Sequence, residues 1–408
     1  MSSAHPLQRL LPVLRSAVFA SAVIAIFLPA VVLSQGNVRP KPAAPPDTMG
    51  FTSGSHHWYS IADEEHVINP LPKQPRYKAN QVSEIADNIL LYQKTNGGWP
   101  KNYDMMAILT REQKETLLHS RNETNTTIDN GASHEHVQYL AKAFAISGDT
   151  RHRDACVRGL DYLLKAQYPN GGWPQFFPDT SGYRKYITFN DGAMTGVMRV
   201  FFDILLGKPQ FTFVDGGHRA RIQKAFDKGI ETILRCQIVE NGVPTAWCQQ
   251  HDNVDFRPQF ARSYELPSIT GAESAEIVLF LMEIPKPSAE IAGAIRHAVR
   301  WFRKSQITGI RVEDVKAPKA QYMFHSADFD RVVVKDPKAP PIWARFYELG
   351  TARPLFCNRD GKAVYSLAEV DRERRTGYGW YTYDPAKVLQ TFPAWQRKWI
   401  PASDRPGQ

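Results

Sequence analysis

Two stretches of this chain are near copies of each other. Gln93-Lys94-Thr95-Asn96-Gly97-Gly98-Trp99-Pro100 returns as Gln167-Tyr168-Pro169-Asn170-Gly171-Gly172-Trp173-Pro174. Weaker copies follow at Gln237 with Asn241-Gly242-Val243-Pro244 and at Gln306 with Thr308-Gly309. The glutamines are 74, 70 and 69 residues apart. A period of that length holds two helices and two loops, one loop being a glycine-terminated helix end. Apolar residues between the copies recur at helical spacing: Val82, Ile85, Ala86 and Ile89; Val137, Leu140, Ala141 and Phe144; Met194, Val197, Met198 and Phe201. The pattern continues through Ile222, Ala225, Phe226 and Ile233, through Ala275, Val278 and Met282, and through Ile291, Ala294, Ile295, Ala298 and Phe302. These stripes match a helix period better than alternation, and nothing comparable reads as a run of regular strands. The expectation is an all-α fold of repeated helix hairpins with minor irregular or short-strand segments. Hairpins that share a core close into an α/α toroid or barrel; an open solenoid is the alternative.

The second loop of each pair leads into the other helix, and polar residues collect there. Thr127-Ile128-Asp129-Asn130-Gly131, Thr188-Phe189-Asn190-Asp191-Gly192 and Ala261-Arg262-Ser263-Tyr264-Glu265 occupy such loops, and Ala344-Arg345-Phe346-Tyr347-Glu348 repeats the last pattern. In a closed toroid these loops share one rim. An acid at a helix start is commonly an N-cap. Here each acid has an amide neighbour, which together make the hard oxygen set that Ca²⁺ takes, and one cation could be held between the two loops. A general acid and base for glycoside hydrolysis is the competing reading of Asp129 and Asp191. Arg262 and Arg345 read either as partners of Glu265 and Glu348 or as a cationic floor for an anionic ligand. His134-Glu135-His136 lacks the spacing of a helical zinc pair. Trp99 and Trp173 are expected to be packing anchors.

The first 34 residues read as a secretory signal, with Arg9 and Arg15 ahead of or at the edge of an apolar run from Ala17 to Leu33. Residues 35–75 form a proline-rich spacer and N-terminal extension, and residues 76–400 the repeat body. The formal charge is +9, or about +7 without the signal, which suits an acidic partner. Nucleic acid, anionic lipid and acidic polysaccharide all fit that sign. The basic patch Arg372, Arg374 and Arg375 lies beside Tyr378 and Trp380 without a nucleic-acid motif, and aromatics also stack on sugars. Four cysteines show no metal spacing; Cys236 and Cys248 are the nearest pair for a disulfide.

Taken in order, the two Asn-Gly-Gly-Trp-Pro segments, Thr127 to Ala132, Ile187 to Asp191, Ala261 to Ser268, Ala344 to Glu348, Asn358-Arg359-Asp360-Gly361 and Arg374-Arg375-Thr376-Gly377-Tyr378 resemble polysaccharide lyase family 10, the pectate lyases. The resemblance runs from about residue 80 to about residue 382. It implies an (α/α)₃ toroid as the catalytic domain and calcium-assisted β-elimination of α-1,4-linked polygalacturonate. By position it implies that Asp191, Asn130 and Asp129 surround the calcium ion. Arg262 is then the base, with Asp129 beside it in catalysis, and Arg345, Arg359, Arg375 and Lys101 bind substrate. The implied partner is an acidic polysaccharide, with neither nucleic acid nor a membrane engaged after signal removal, for a monomer that is secreted or periplasmic. Two positions depart from the family pattern: Gly192 stands where a second acid is expected, and Arg184-Lys185 where less basic residues are expected. A guanidinium is a weak base above about pKa 12. Burial and the neighbouring cations, Ca²⁺, Arg345 and Arg359, are expected to lower that value.

Overall fold

The computed structural model describes residues 44–62 and 65–401; the expected signal, residues 1–34, lies outside them. Eleven α-helices are described: α1 (Thr52–Ser60), α2 (Val82–Tyr92), α3 (Arg111–His119), α4 (His134–Ser147), α5 (Thr150–Ala166), α6 (Ala193–Leu205), α7 (Gly216–Cys236), α8 (Ala272–Glu283), α9 (Ala289–Ser305), α10 (Arg372–Gly377) and α11 (Asp384–Trp399). Helices α2, α5, α7 and α9 pack on one another in sequence, and so do α4, α6, α8 and α11. The two rows also pack together, through α2 on α4, α4 on α5, α6 on α7 and α8 on α9. This is the helical toroid expected from the repeats. The apolar stripes face its interior: Ile85, Val137, Val197, Ile222, Val278 and Ile295 have no exposed surface.

The repeated loops are the joints of this body. Gln93, after α2, donates its side-chain amide to Gly97 O and to Ala155 O of α5, both at 2.9 Å. Gln167 does the same to Gly171 O and Ala225 O of α7, and Gln237 to Thr245 O and Ala294 O of α9. Each glutamine therefore closes its own loop and ties it to the next helix of the row. The indole N–H of Trp99, Trp173, Trp247 and Trp343 donates to Ile89 O, Leu163 O, Ile233 O and Phe302 O respectively, so each ring is pinned to the helix before it. All four rings are buried. Removing about 200 Å² of aromatic surface from water contributes ~5 kcal/mol per ring before ordering costs. The glycines of Asn-Gly-Gly are required by close approach: a Cβ on Gly97 or Gly171 would lie 2.3 Å from Arg158 O or Lys228 O, and both have positive φ.

Two features go beyond the sequence reading. From Ala44 onward the proline-rich extension folds onto the body, carrying α1 and burying Phe51 and Trp58. A long antiparallel hairpin, Ile310–Gln321 with Ser326–Lys335, stands between Gln306 and Trp343, where no strand was expected. Most of its residues are exposed or half-exposed, so neither face carries the apolar alternation by which a strand is recognised. The four cysteines are buried and free.

Candidate active site

Two positions of the repeat supply the polar groups. Each inner-row helix is preceded by a threonine, and Thr127, Thr188 and Thr270 donate their backbone N–H to Trp99 O, Trp173 O and Trp247 O. Thr382 pairs with Trp343 in a short antiparallel ladder. Two residues after each tryptophan stand Lys101, Gln175, Gln249 and Arg345; three after the first three threonines stand Asn130, Asp191 and Glu273. Because every threonine is laddered to its tryptophan, residues that follow the tryptophans come up against acids and amides of the polar loops, and Arg345 with Glu273 joins the two sets directly. Lys101 Nζ bonds Asp129 Oδ2 at 2.9 Å, Gln249 donates to Glu265 at 3.2 Å, and Arg345 Nη2 donates to Glu273 Oε1 and Asn190 Oδ1, each at 2.8 Å.

The acidic side is formed by two short turns, Asp129–Gly131 and Asn190–Gly192, which pack against each other. Neither acid caps the following helix: Ser133 and Gly192 hold those positions. Asn130 and Asp191, each with φ of 50°, are the structurally equivalent pair, so the repeat swaps amide and acid between the turns. Asp129 is buried; its cost of burial is outweighed by Lys101, with Gln175 and Arg262 adding to it, and its carboxyl lies below the usual range. Its Oδ1 is buried without a hydrogen bond in the chain. Asp191 has exposed surface, but that surface faces a concave, crowded cavity. Loss of surrounding water and the charge of Asp129 push its carboxyl up to about 6, against the pull of Arg345. Glu273, also buried, leaves Oε2 without a partner.

Asn130, Asp191, Glu273 and Arg345 line a cavity of about 590 Å³ together with Gly192, Glu276 and His134. Asp129 Oδ1, the Asn130 and Asp191 side chains and the spare Glu273 oxygen are hard oxygen donors of the kind a divalent cation needs. Gly192 is not bare of acid: a Cβ there would meet Glu276 Oε1 at 3.0 Å, so a carboxylate from α8 stands beside the position where the resemblance led us to expect one. Among the described residues, the one tight set of three metal-ligating side chains is Asp87, Asp149 and His152, at α2 and the start of α5. Arg151 bridges both of those acids, at 3.1 and 2.6 Å, which matches their charge already.

The basic side is built on two tyrosines. Tyr264 and Tyr378 meet edge to face at 5.2 Å. Arg262 lies over both rings, Arg345 over Tyr378 at 4.7 Å, and Arg359 over Tyr264 at 5.4 Å. Arg262 is half-exposed, and Glu265 holds its Nε at 2.8 Å and its Nη2 closer still. Burial pushes the guanidinium toward neutrality, but Glu265 prevails and its pKa stands well above the ordinary arginine value. This corrects the expectation that its surroundings lower it: the acid in contact outweighs the more distant cations. Arg345 is part-buried, and its pKa too is raised: loss of surrounding water opposes the charge, while Tyr378, Glu273 and Asp191 hold it. The resemblance between the two Ala-Arg segments does not extend to their acids, because Glu348 bonds Arg353 and not Arg345.

Arg359 pairs with Glu373 at 3.0 Å and is tethered through its carbonyl to Ser263. Arg375 is placed differently from the other basic residues, pairing with Asp330 of the hairpin at 2.7 Å; its neighbour Arg374 is the one buried over Tyr264 at 4.7 Å. Successive residues of a helix point about 100° apart, which separates the two. His134 lines the cavity while His136 is held by Ser133 N and Tyr103, so the two histidines diverge as their spacing predicts. Glu273 and Glu276 went unrecognised in the sequence, and Arg374 was named there only as a member of a basic patch. Glu273 could have been found from its offset of three from Thr270, the same as Asp191 from Thr188.

A helical toroid whose loops set two or three carboxylates against a cluster of arginines has a site suited to an anionic ligand held with a cation. Residues 93–389 match the family model described as pectic acid lyase, and the chain belongs to that family. The solved structures it is similar to include the family 10 polysaccharide lyase from Cellvibrio cellulosa, at 32% identity and a TM-score of 0.65, covering 78% of this chain and 95% of that one. A mutant of that lyase solved in complex with trigalacturonic acid matches equally well, at 32% identity and 0.65, covering 78% of this chain and 96% of that one. No curated protein matches the chain.

Proposed function

We propose that this protein is an exported, calcium-dependent pectate lyase that cleaves polygalacturonate by β-elimination and releases unsaturated oligogalacturonates. The observation that carries the reading is the meeting of Arg262, Arg345 and Arg359 on Tyr264 and Tyr378, opposite the Asp129 and Asp191 turns. A uronate presents a carboxylate beside a weakly acidic C5 proton. Asp129, Asn130 and Asp191, with Glu273 at hand, would hold the cation, which when bound supplies charge to neutralise that carboxylate. Arg345 and Arg359 orient the sugar carboxylates and oppose the negative charge that grows as the proton leaves. Arg262, aimed by Glu265 with Nη1 left to meet the sugar, takes the C5 proton in its neutral form, reached at alkaline pH by prior loss of one guanidinium proton to water. The C5 electron pair becomes the C4–C5 double bond, the C4–O bond breaks, and the departing oxygen gains a proton from water.

The test follows ultraviolet absorbance of polygalacturonate at alkaline pH. A rise that a chelator abolishes, and that Arg262→Ala removes, supports the reading. Reducing sugar without absorbance would replace it with hydrolysis by Asp129 and Asp191.

A further inference from the structure

Beyond the reacting centre lies a second groove of about 930 Å³, lined by Lys101, Phe176, Arg184 and Glu65 among others. Glu65 belongs to the N-terminal extension. Its two oxygens reach Lys101 Nζ at 2.8 Å and Arg184 Nη2 at 2.7 Å. Both cations also lie over one ring: Arg184 at 4.3 Å and Lys101 at 5.2 Å from the centre of Phe176. Asp179 holds the other end of the guanidinium, Nη1, at 2.6 Å, which aims Nη2 at Glu65. Lys101 links the groove to the site, bonding Asp129 as well as Glu65.

We infer that Lys101, Arg184 and Phe176 form an additional subsite for a uronate of the bound chain, and that Glu65 occupies it as a stand-in for the uronate carboxylate until substrate displaces it. The inference rests on the pectate-lyase reading for the identity of the ligand. The chemistry is that of the substrate itself: a planar carboxylate held by an arginine and a lysine, with an aromatic ring beside the sugar. The occupant, Glu65, is a carboxylate on a surface segment. The pairs are part-buried, with Glu65 and Arg184 each about a third exposed, so the site is open to solvent on one side and a multivalent polyanion carrying the same carboxylate can compete for it.

The experiment measures binding of hexagalacturonate, by calorimetry in the presence of Ca²⁺, to the otherwise full-length Arg262→Ala protein and to the same protein carrying Glu65→Gln, Arg184→Ala or both. Glu65→Gln is expected to tighten binding about three- to tenfold, and Arg184→Ala to weaken it about tenfold. The gain from Glu65→Gln should shrink when Arg184 is absent, since the two compete for one site. Unchanged melting temperatures establish that each variant is folded. Weaker or unaltered binding by Glu65→Gln would make Glu65 a brace and overturn the inference, as would hexamer binding indifferent to Arg184. If the unmutated chain shows no chelator-sensitive absorbance rise, the lyase reading itself has failed; if it does show one and Arg184 has no effect, only the subsite has.

Discussion

Glu265 grips Arg262 through two of its nitrogens and accepts from its backbone N–H at 2.9 Å, while Tyr378 donates its hydroxyl to the same carboxylate at 2.7 Å. The pair fixes where the guanidinium points and also holds its proton. Arg262→Ala is therefore expected to lower kcat by about 10³-fold or more, far beyond the moderate fall in melting temperature that follows from leaving the buried Glu265 without its charge partner. Arg262→Lys should rescue only a small part, because one ammonium cannot reproduce the two-point grip. Activity near that of the unmutated chain in either variant would remove Arg262 from the chemistry.

The same contact gives a pH prediction. Glu265 raises the pKa of Arg262, so removing its charge lowers that pKa. Activity should rise with pH toward the alkaline side, and in Glu265→Gln the rising limb should move to lower pH while the maximal rate drops. A limb that stays in place, measured by ultraviolet product formation across a pH series, would show that Arg262 is not the titrating base.

Loss of surrounding water in the cavity and the charge of Asp129 push the Asp191 carboxyl up to about 6. A carboxylate must be ionised to ligate a metal, so calcium affinity should be full above that pH and fall toward about tenfold per unit below it. Asp191→Asn should bind Ca²⁺ far more weakly and lose this dependence. Titration of the unloaded protein with Ca²⁺, followed by calorimetry at several pH values, reads both effects without relying on turnover.

Arg345 and Arg375 should separate cleanly. Arg345→Ala breaks a buried bond set with Glu273 and Asn190 and leaves Glu273 unpaired, so it should cost stability of about 3 kcal/mol as well as activity. Arg375→Ala removes a partner of Asp330 on the hairpin and should leave KM within about twofold, a change too small for loss of a charged ligand contact. A large rise in KM for Arg375→Ala would return it to the substrate-binding set.

The glutamine joints carry a stability prediction. Gln167→Leu leaves Gly171 O and Ala225 O without their side-chain donor and should cost about 2 kcal/mol, read as a melting temperature lower by several degrees. Catalysis at 25 °C should be preserved, since the change lies at a joint of the outer row and away from the rim.

The sequence by itself determined the repeat. The Gln and Asn-Gly-Gly-Trp-Pro copies and the helical stripes required paired helices with equivalent loops on one rim, because a Gly pressed against the next backbone and a Trp pinned to the preceding helix are local demands. That placed Asp129, Asn130, Asp191 and Arg262 in loops of one kind. Tertiary structure decided which groups meet. The ladder from each tryptophan to its threonine makes Arg345 the equivalent of Lys101 and sets it on Glu273, a contact across 72 residues that no local pattern carries. It also separated Arg374 from Arg375, stood the polar hairpin where no strand was expected, and delivered Glu65 from an extension without helical periodicity onto Lys101 and Arg184. Ion pairs between distant elements depend on side-chain direction and approach in space, and spacing along a chain records neither.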